Sequence, residues 1–467
     1  MRNIITILIL LIINGWARSQ ETPVTNHDLD TYYQGLEYYD NELYGPASKM
    51  MQSFLDQNVY HVEELYQQYV LNAKRIIHQS SLILNLPQAE KNLADFVGTY
   101  STDPIIIESS IHLGSYYYNE KKYEKAIEYF DKVDIENLKG DEFSEVCFKK
   151  GYSHFVLREF GEAQSYLRKT KDIRNIYYYP VNYYYGMCAY FGDDYATAVN
   201  SFERVSNSNA YKPFIPYYIT QIYFAQDQFE KLITYGEQAL RQDRLEKRKE
   251  IRLLLGQAYF KNDLYIKALP HLEYYEANTS KLTQEEFYQL AFSHYQLKNY
   301  DQAIQYFKEL SLLDSKLGQL VNYYLADCFT KTGDMNSART AFKKVSQMNY
   351  EASMAEEALF NYGKLSAELN YDREGINSLV SVRPSSLYYT EARKIINDIL
   401  LNSGDYTNSI SIIESLDDLS DDLKSTYQTV TFNRAIQLLD EGKFGESRMH
   451  FAKADKYKID QEKFIIS

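Results

Sequence analysis

His154 and His294 are the first candidates for proton transfer, and Cys147, Cys188 and Cys328 the first for nucleophilic or metal chemistry. Neither set has the company that such chemistry needs. A general base works beside an orienting group, and a reactive thiol beside a base or a second thiol at short spacing. The three cysteines lie far apart, without the short spacings of a zinc site or a disulfide framework. They read as small, buried apolar residues. The adjacent acids Glu63-Glu64, Glu285-Glu286 and Glu356-Glu357 are expected on helix surfaces, where neighbours in sequence point apart and make poor acid–base pairs. H-E-x-x-H, a phosphate-binding glycine loop and G-x-S-x-G are all absent from the sequence. No catalytic residue, metal site or cofactor is expected, and the chain is not expected to be an enzyme.

The abundant reactive type is tyrosine, with 47 copies against 23 phenylalanines and one tryptophan, Trp16. Tyrosine offers a large, rigid apolar face and one hydroxyl, which suits contact surfaces. Much of this aromatic content falls on a fixed register. One stretch reads Leu113-Gly114, Tyr117, Tyr123, Ala126, Phe130, Val133. With Gly114 as anchor, equivalent anchors fall at Gly35, Ile77, Gly151, Gly186, Thr220, Gly256, Ala291, Ala326, Tyr362, Asn397 and Ala435, at intervals close to 35 residues. Nine residues past the twelve anchors, ten positions are aromatic. Chance at 15% aromatic content would give roughly two. Three residues further on stand Ala47, Ala89, Ala126, Ala163, Ala198, Ala268, Ala303 and Ala338, and four beyond that Phe130, Phe202, Phe307, Phe342 and Phe451. Small against large at a fixed period describes two helices pressed together, with a bulky residue closing the gap to the next unit. His154 and His294 fall three residues after an anchor, where tyrosine usually stands, and so read as helix-packing residues.

The Leu-Gly, Tyr, Ala, Phe positions resemble the tetratricopeptide repeat, over residues 28–460. The tryptophan often found early in the first helix is replaced here by Cys147, Asn182, Arg252 or Phe287. Copies anchored at Tyr362 and Asn397 carry Glu374 and Ser409 where alanine is expected, and the copy at Thr220 carries Leu232. The resemblance implies an all-α, right-handed superhelical solenoid of about twelve helix-turn-helix repeats. It also implies a concave face lined by the first helices, at residues three before, one after and four after each anchor. Here those positions hold Tyr118, Phe148, Tyr152, Phe155, Tyr183, Tyr190, Tyr217, Phe224, Phe260, Tyr288, Phe292, Tyr295 and Tyr323. The function implied is a protein–protein interaction scaffold that binds a peptide or protein partner on this aromatic face. A carbohydrate-binding module, for peptidoglycan or surface glycan, is the alternative, because tyrosine faces also stack on sugars. The same rings suit plain packing or self-association.

Arg2, the apolar run Ile4 to Ile13 and the small residues Ala17 and Ser19 read as a signal peptide at 1–19, with the mature chain starting near Gln20. The run of about ten apolar residues is too short to span a bilayer. The expected location is the periplasm, or outside the cell; resemblance to exported envelope repeat proteins implies a Gram-negative bacterium. A short segment at 20–27 precedes one continuous array at 28–460, and 461–467 reads as the start of an incomplete next repeat whose uncapped end would favour self-association. Pro104, Pro180 and Pro213 lie at or before the start of first helices, and Pro270 is expected near the beginning of a second helix, where its missing N–H costs nothing. The net charge of −14, or −16 once Arg2 and Arg18 are removed, repels nucleic acid. The basic run Arg241 to Arg252 is broken by Asp243, Glu246 and Glu250 and reads as a solvated helix face.

Overall fold

The computed structural model of the chain describes residues 23–57, 64–402, 404–416 and 419–457. The expected signal peptide, the incomplete repeat at 461–467 and Glu63 lie outside the described residues. Among the described residues there are 24 α-helices, one short 3-10 turn and no strand. The chain divides into two compact units, Met1–Ile222 and Tyr223–Ser467.

The first unit contains α1 (Pro23–Asp40), α2 (Tyr44–Gln57), α3 (Glu64–Ile83), α4 (Ala89–Thr99), α5 (Ile106–Asn119), α6 (Tyr123–Phe130), α7 (Gly140–Val156), α8 (Phe160–Arg168), α9 (Tyr178–Phe191) and α10 (Tyr195–Arg204). The boundary falls within α11 (Ile215–Ala225). The second unit continues with α12 (Phe229–Ala239), α13 (Arg248–Lys261), α14 (Tyr265–Ala277), α15 (Gln284–Gln296), α16 (Tyr300–Leu310), α17 (Lys316–Thr332), α18 (Met335–Ser346), α19 (Ala352–Glu368), α20 (Asp372–Val380), α21 (Tyr389–Asn402), α22 (Tyr406–Glu414), α23 (Asp421–Asp440) and α24 (Phe444–Ala454). Odd-numbered helices are the first helices of the repeats and even-numbered helices the second.

The glycine anchors are small because bulky side chains from the second helix lie against their backbone. A Cβ added to Gly114 would meet the Phe130 ring at 2.6 Å, and one on Gly186 would meet Phe202 at 2.9 Å. Phe130, Phe202 and Phe307 are fully buried, as are Ala126, Ala163, Ala198, Ala268 and Ala303. This is interior packing without room for one further methyl group.

The irregular copies keep this geometry by other means. In the pair α19 and α20 the anchor is Gly363 and not Tyr362: a Cβ there would meet Leu379 at 2.7 Å. The small partner is then Gly375, facing the Gly363 carbonyl, and not Glu374. The sequence register slips by one because Tyr371 imitates the aromatic row. In α12 the bulk is exchanged: Leu232 is fully buried at the alanine position, and Gly236 leaves space that Leu255 fills. Pro270 is the sixth residue of α14, so its missing N–H removes a bond within the helix, contrary to the expectation from sequence.

The turns between paired helices share one conformation. Glu42, Lys121, Arg158, Asp193, Asp227, Asp263, Lys298, Gly333, Asn370, Gly404 and Gly442 all have positive φ. Each stands seven residues after its anchor once Gly363 is taken as one. The next residue's N–H then reaches back to close the first helix: Lys122 to Tyr117 at 2.9 Å, Glu159 to His154 at 2.9 Å, Tyr371 to Ser366 at 2.7 Å. This is a Schellman ending, which satisfies carbonyls that the helix leaves free.

Candidate binding face on the first helices

All thirteen aromatic residues expected on the first-helix face are half-buried. They pack on one another and still keep part of each ring in contact with solvent. The first unit gathers seven of them. Tyr118 lies 5.5 Å from Tyr152 and 6.5 Å from Phe148, ring centre to ring centre, and Tyr152 lies 6.3 Å from Phe155. Tyr183 and Tyr190 join this group only through rings that the three-row reading omitted. Tyr184 sits 4.7 Å from Tyr152, 5.1 Å from Phe155 and 5.2 Å from Tyr183. Tyr218 sits 5.3 Å from Tyr190 and 5.4 Å from Tyr217. Tyr184 and Tyr218, like Tyr324, stand two residues before an anchor. That fourth aromatic position was readable in the sequence, since the same offset recurs in three copies.

The second unit holds a separate cluster. Phe292 is its centre, 5.9 Å from Phe260, 5.6 Å from Tyr288, 5.9 Å from Tyr295 and 5.0 Å from Tyr324. Tyr323 enters through Tyr324, at 5.9 Å. Phe224 is not brought into this cluster; its ring contact is with Phe229, at 5.9 Å.

Several hydroxyls on this face form hydrogen bonds. Burial, reinforced by Asp327, raises the Tyr295 hydroxyl well above the usual tyrosine range, and it donates to Asp327 at 2.9 Å. Tyr323 donates to Glu357 at 2.7 Å. Burial also pushes Tyr190 up to about 12. Its hydroxyl donates to Gln221, whose amide in turn donates to the Tyr217 hydroxyl at 2.8 Å. The bonds from Tyr190, Tyr295 and Tyr323 each link one first helix to the next and fix the rings in place. The arrangement supports recognition by contact area and neutral hydrogen bonds.

The other candidates have structural work. His154 stacks on Tyr166 and His294 on Tyr306, at interplanar angles of 3° and 9°, and both histidines are buried. Cys147, Cys188 and Cys328 are buried and unbonded, and burial pushes each thiol up to about 12, away from the reactive thiolate. Glu286, expected on a helix surface, is buried instead: its carboxylate folds back on the Thr283 N–H at 2.7 Å in a capping box. Glu356 is bound by Arg383 and Glu357 by Tyr323. In the basic run, Arg248 donates to the carbonyls of Leu240 and Gln242, and Arg252 lies over the Tyr274 ring. No group of His, Cys, Asp and Glu able to hold a metal occurs among the described residues. None of their helices is long and apolar enough to cross a membrane.

Residues 107–134 match a tetratricopeptide-repeat family model, and residues 288–368 match another. These segments fall on the same helix pairs whose register the glycine contacts and left-handed turns define. Both segments are tetratricopeptide repeats. Among solved structures the chain is similar to YrrB, a TPR protein with an unusual peptide-binding site, at 16% identity over 42% of this chain and 100% of that one, with a TM-score of 0.34. It is also similar to the C-terminal part of a TPR protein from Cytophaga hutchinsonii, at 14% identity over 60% and 98% of the two chains, TM-score 0.35. A TPR protein from Parabacteroides merdae gives 11% identity over 57% and 98%, TM-score 0.31. No match was found among curated proteins. Tetratricopeptide repeats serve as protein-interaction scaffolds.

Proposed function

We propose that this TPR protein is an exported scaffold that holds an extended peptide or a helix of a protein partner on its first-helix aromatic face. One observation carries the reading: in three successive repeats of the first unit, rings of the first helices form a connected aromatic surface, from Tyr118 through Tyr152, Phe155 and Phe191 to Tyr190. A surface of ordered, partly open tyrosines gives a partner large contact area at small entropic cost. The test is site-resolved photo-crosslinking in native cells. A photoreactive phenylalanine analogue at Tyr152 or Tyr190 should yield one discrete adduct. The same probe at the exposed Glu162 of α8 should yield none. Adducts at Glu162 but none on the first helices would count against the face.

Export rests on the apolar run and small residues of the first nineteen positions. Mass measurement of the protein from its native host should place the N-terminus at Gln20 or within a few residues. A chain retaining Met1 would reject it.

A further inference from the structure

Beside the tyrosine-rich surface, the first unit has a cavity of about 380 Å³ among α3, α5 and α7. Its walls include Ile105, Ile111 and Leu138, with Arg75, Glu108 and Glu142 supplying its charged groups. Arg75 is only 8% exposed. Its Nε donates to Asn72 at 2.7 Å, and its Nη1 donates to Gln79 at 2.9 Å and to Glu108. Its Nη2 has no hydrogen-bond partner among the described residues. Arg75 lines the cavity, and the unclaimed N–H groups of Nη2 can donate there to an acceptor oxygen.

The charges around it decide which acceptor. Glu108 already offsets Arg75, and it also accepts from Tyr39 at 3.3 Å. Glu145 is taken by Lys149 at 2.5 Å. Glu142 is exposed and has no ion pair or hydrogen bond among the described residues. Burial of its carboxyl end, and then the charges of Glu108 and Glu145, raise it above the usual carboxylate range. His112, 3.9 Å from Glu108, offsets part of this repulsion when protonated. A second anion would still add to it, so a neutral acceptor suits Arg75 and a cation suits Glu142. The apolar wall between them calls for methylene groups. One residue type in an extended chain offers all three: a main-chain carbonyl, an aliphatic stem and a positive head.

We propose that this cavity anchors a lysine or arginine residue of the partner peptide. The proposal rests on the peptide-binding reading above and assigns the charge that reading leaves open. The carbonyl of that residue accepts from Arg75 Nη2, its stem lies on Ile105, Ile111 and Leu138, and its cationic head pairs with Glu142.

The test is titration of the full chain, carrying isotope-labelled isoleucine methyl groups, with N-acetylated and C-amidated Ala-Ala-X-Ala-Ala peptides. X is lysine, arginine, norleucine or glutamate; chitotetraose forms a further arm. The signals of Ile105, Ile107 and Ile111 should move with the lysine and arginine peptides. Norleucine should bind roughly tenfold more weakly, the value of one partly buried charge pair. Glu142→Gln should bring lysine down to the norleucine level without changing the melting temperature. Equal affinity for norleucine, a lysine preference that survives Glu142→Gln, or tighter binding of glutamate would overturn the proposal. So would movement of these methyls by chitotetraose alone, which would assign the cavity to a sugar. If the peptides perturb Tyr152 and Tyr190 while the isoleucines stay silent, the pocket falls and the aromatic face stands. Silence at both sites overturns both.

Discussion

Gly114 shows how much depends on one missing methyl group. Replacing it by alanine should gain about 0.8–1.0 kcal/mol of helix propensity. The added Cβ would stand 2.6 Å from the Phe130 ring, and overpacking of this kind costs about 1–3 kcal/mol. The clash outweighs the gain, because Phe130 is fully buried and has no free space to turn into. Gly98, in α4, has nothing within 4 Å of an added Cβ. Gly98→Ala should therefore stabilise by about 0.5–1 kcal/mol, while Gly114→Ala destabilises by about 1–2 kcal/mol. Chemical denaturation of the two variants measures both, and the same sign for both would show that the anchor is not set by packing. The anchor and its ring were legible in the sequence because their types recur at fixed spacing. The Gly363 anchor was not, because its neighbour Tyr362 and the nearby Tyr371 satisfy the same pattern one residue early. Only the contact with Leu379 and the left-handed Asn370 settle that register.

At the scale of the element, the sequence marked helices well and their endings poorly. Aromatic and alanine rows locate α6, α8, α10, α14 and α16 at their starts. The turn before each carries no common residue: Lys121, Arg158, Asp193 and Lys298 adopt the left-handed conformation that Gly333 adopts without strain. The Schellman bonds and the packing of both helices impose that conformation on residues that do not favour it. The strain per residue is about 1–2 kcal/mol, against about 0.5–1 kcal/mol of extra chain entropy that glycine loses on folding. Lys121→Gly should therefore stabilise slightly, by about 0.5 kcal/mol, and Gly333→Ala should destabilise by about 1 kcal/mol. Denaturation midpoints report both. A loss of stability on Lys121→Gly would mean that its side chain, and not its backbone, holds the turn.

For the whole molecule, repetition made the architecture legible, because the same small-against-large contact is encoded again in each helix pair. The candidate face was legible in three of its rows. Its fourth row, Tyr184, Tyr218 and Tyr324, joins those rows across successive first helices and recurs at one offset in the sequence, but lies outside the three rows that the resemblance implies. The cavity at Arg75 was not legible, because α3, α5 and α7 bring its walls together from three repeats. The central claim is that rings on the first helices serve a partner, beyond packing. The most direct test compares two pairs of half-buried tyrosines in the same unit. Tyr152 and Tyr190 lie on the face; Tyr129 and Tyr166 lie on the second helices α6 and α8. Each pair is changed to serine, and affinity for the crosslinked partner is measured beside unfolding free energy. Both pairs should lose comparable stability, about 2–4 kcal/mol, since partly buried rings are truncated in each. Only Tyr152→Ser with Tyr190→Ser should weaken the partner, by roughly tenfold or more. If the two pairs weaken it equally, or the face pair leaves it unchanged, the tyrosines are packing and the face is not a binding surface.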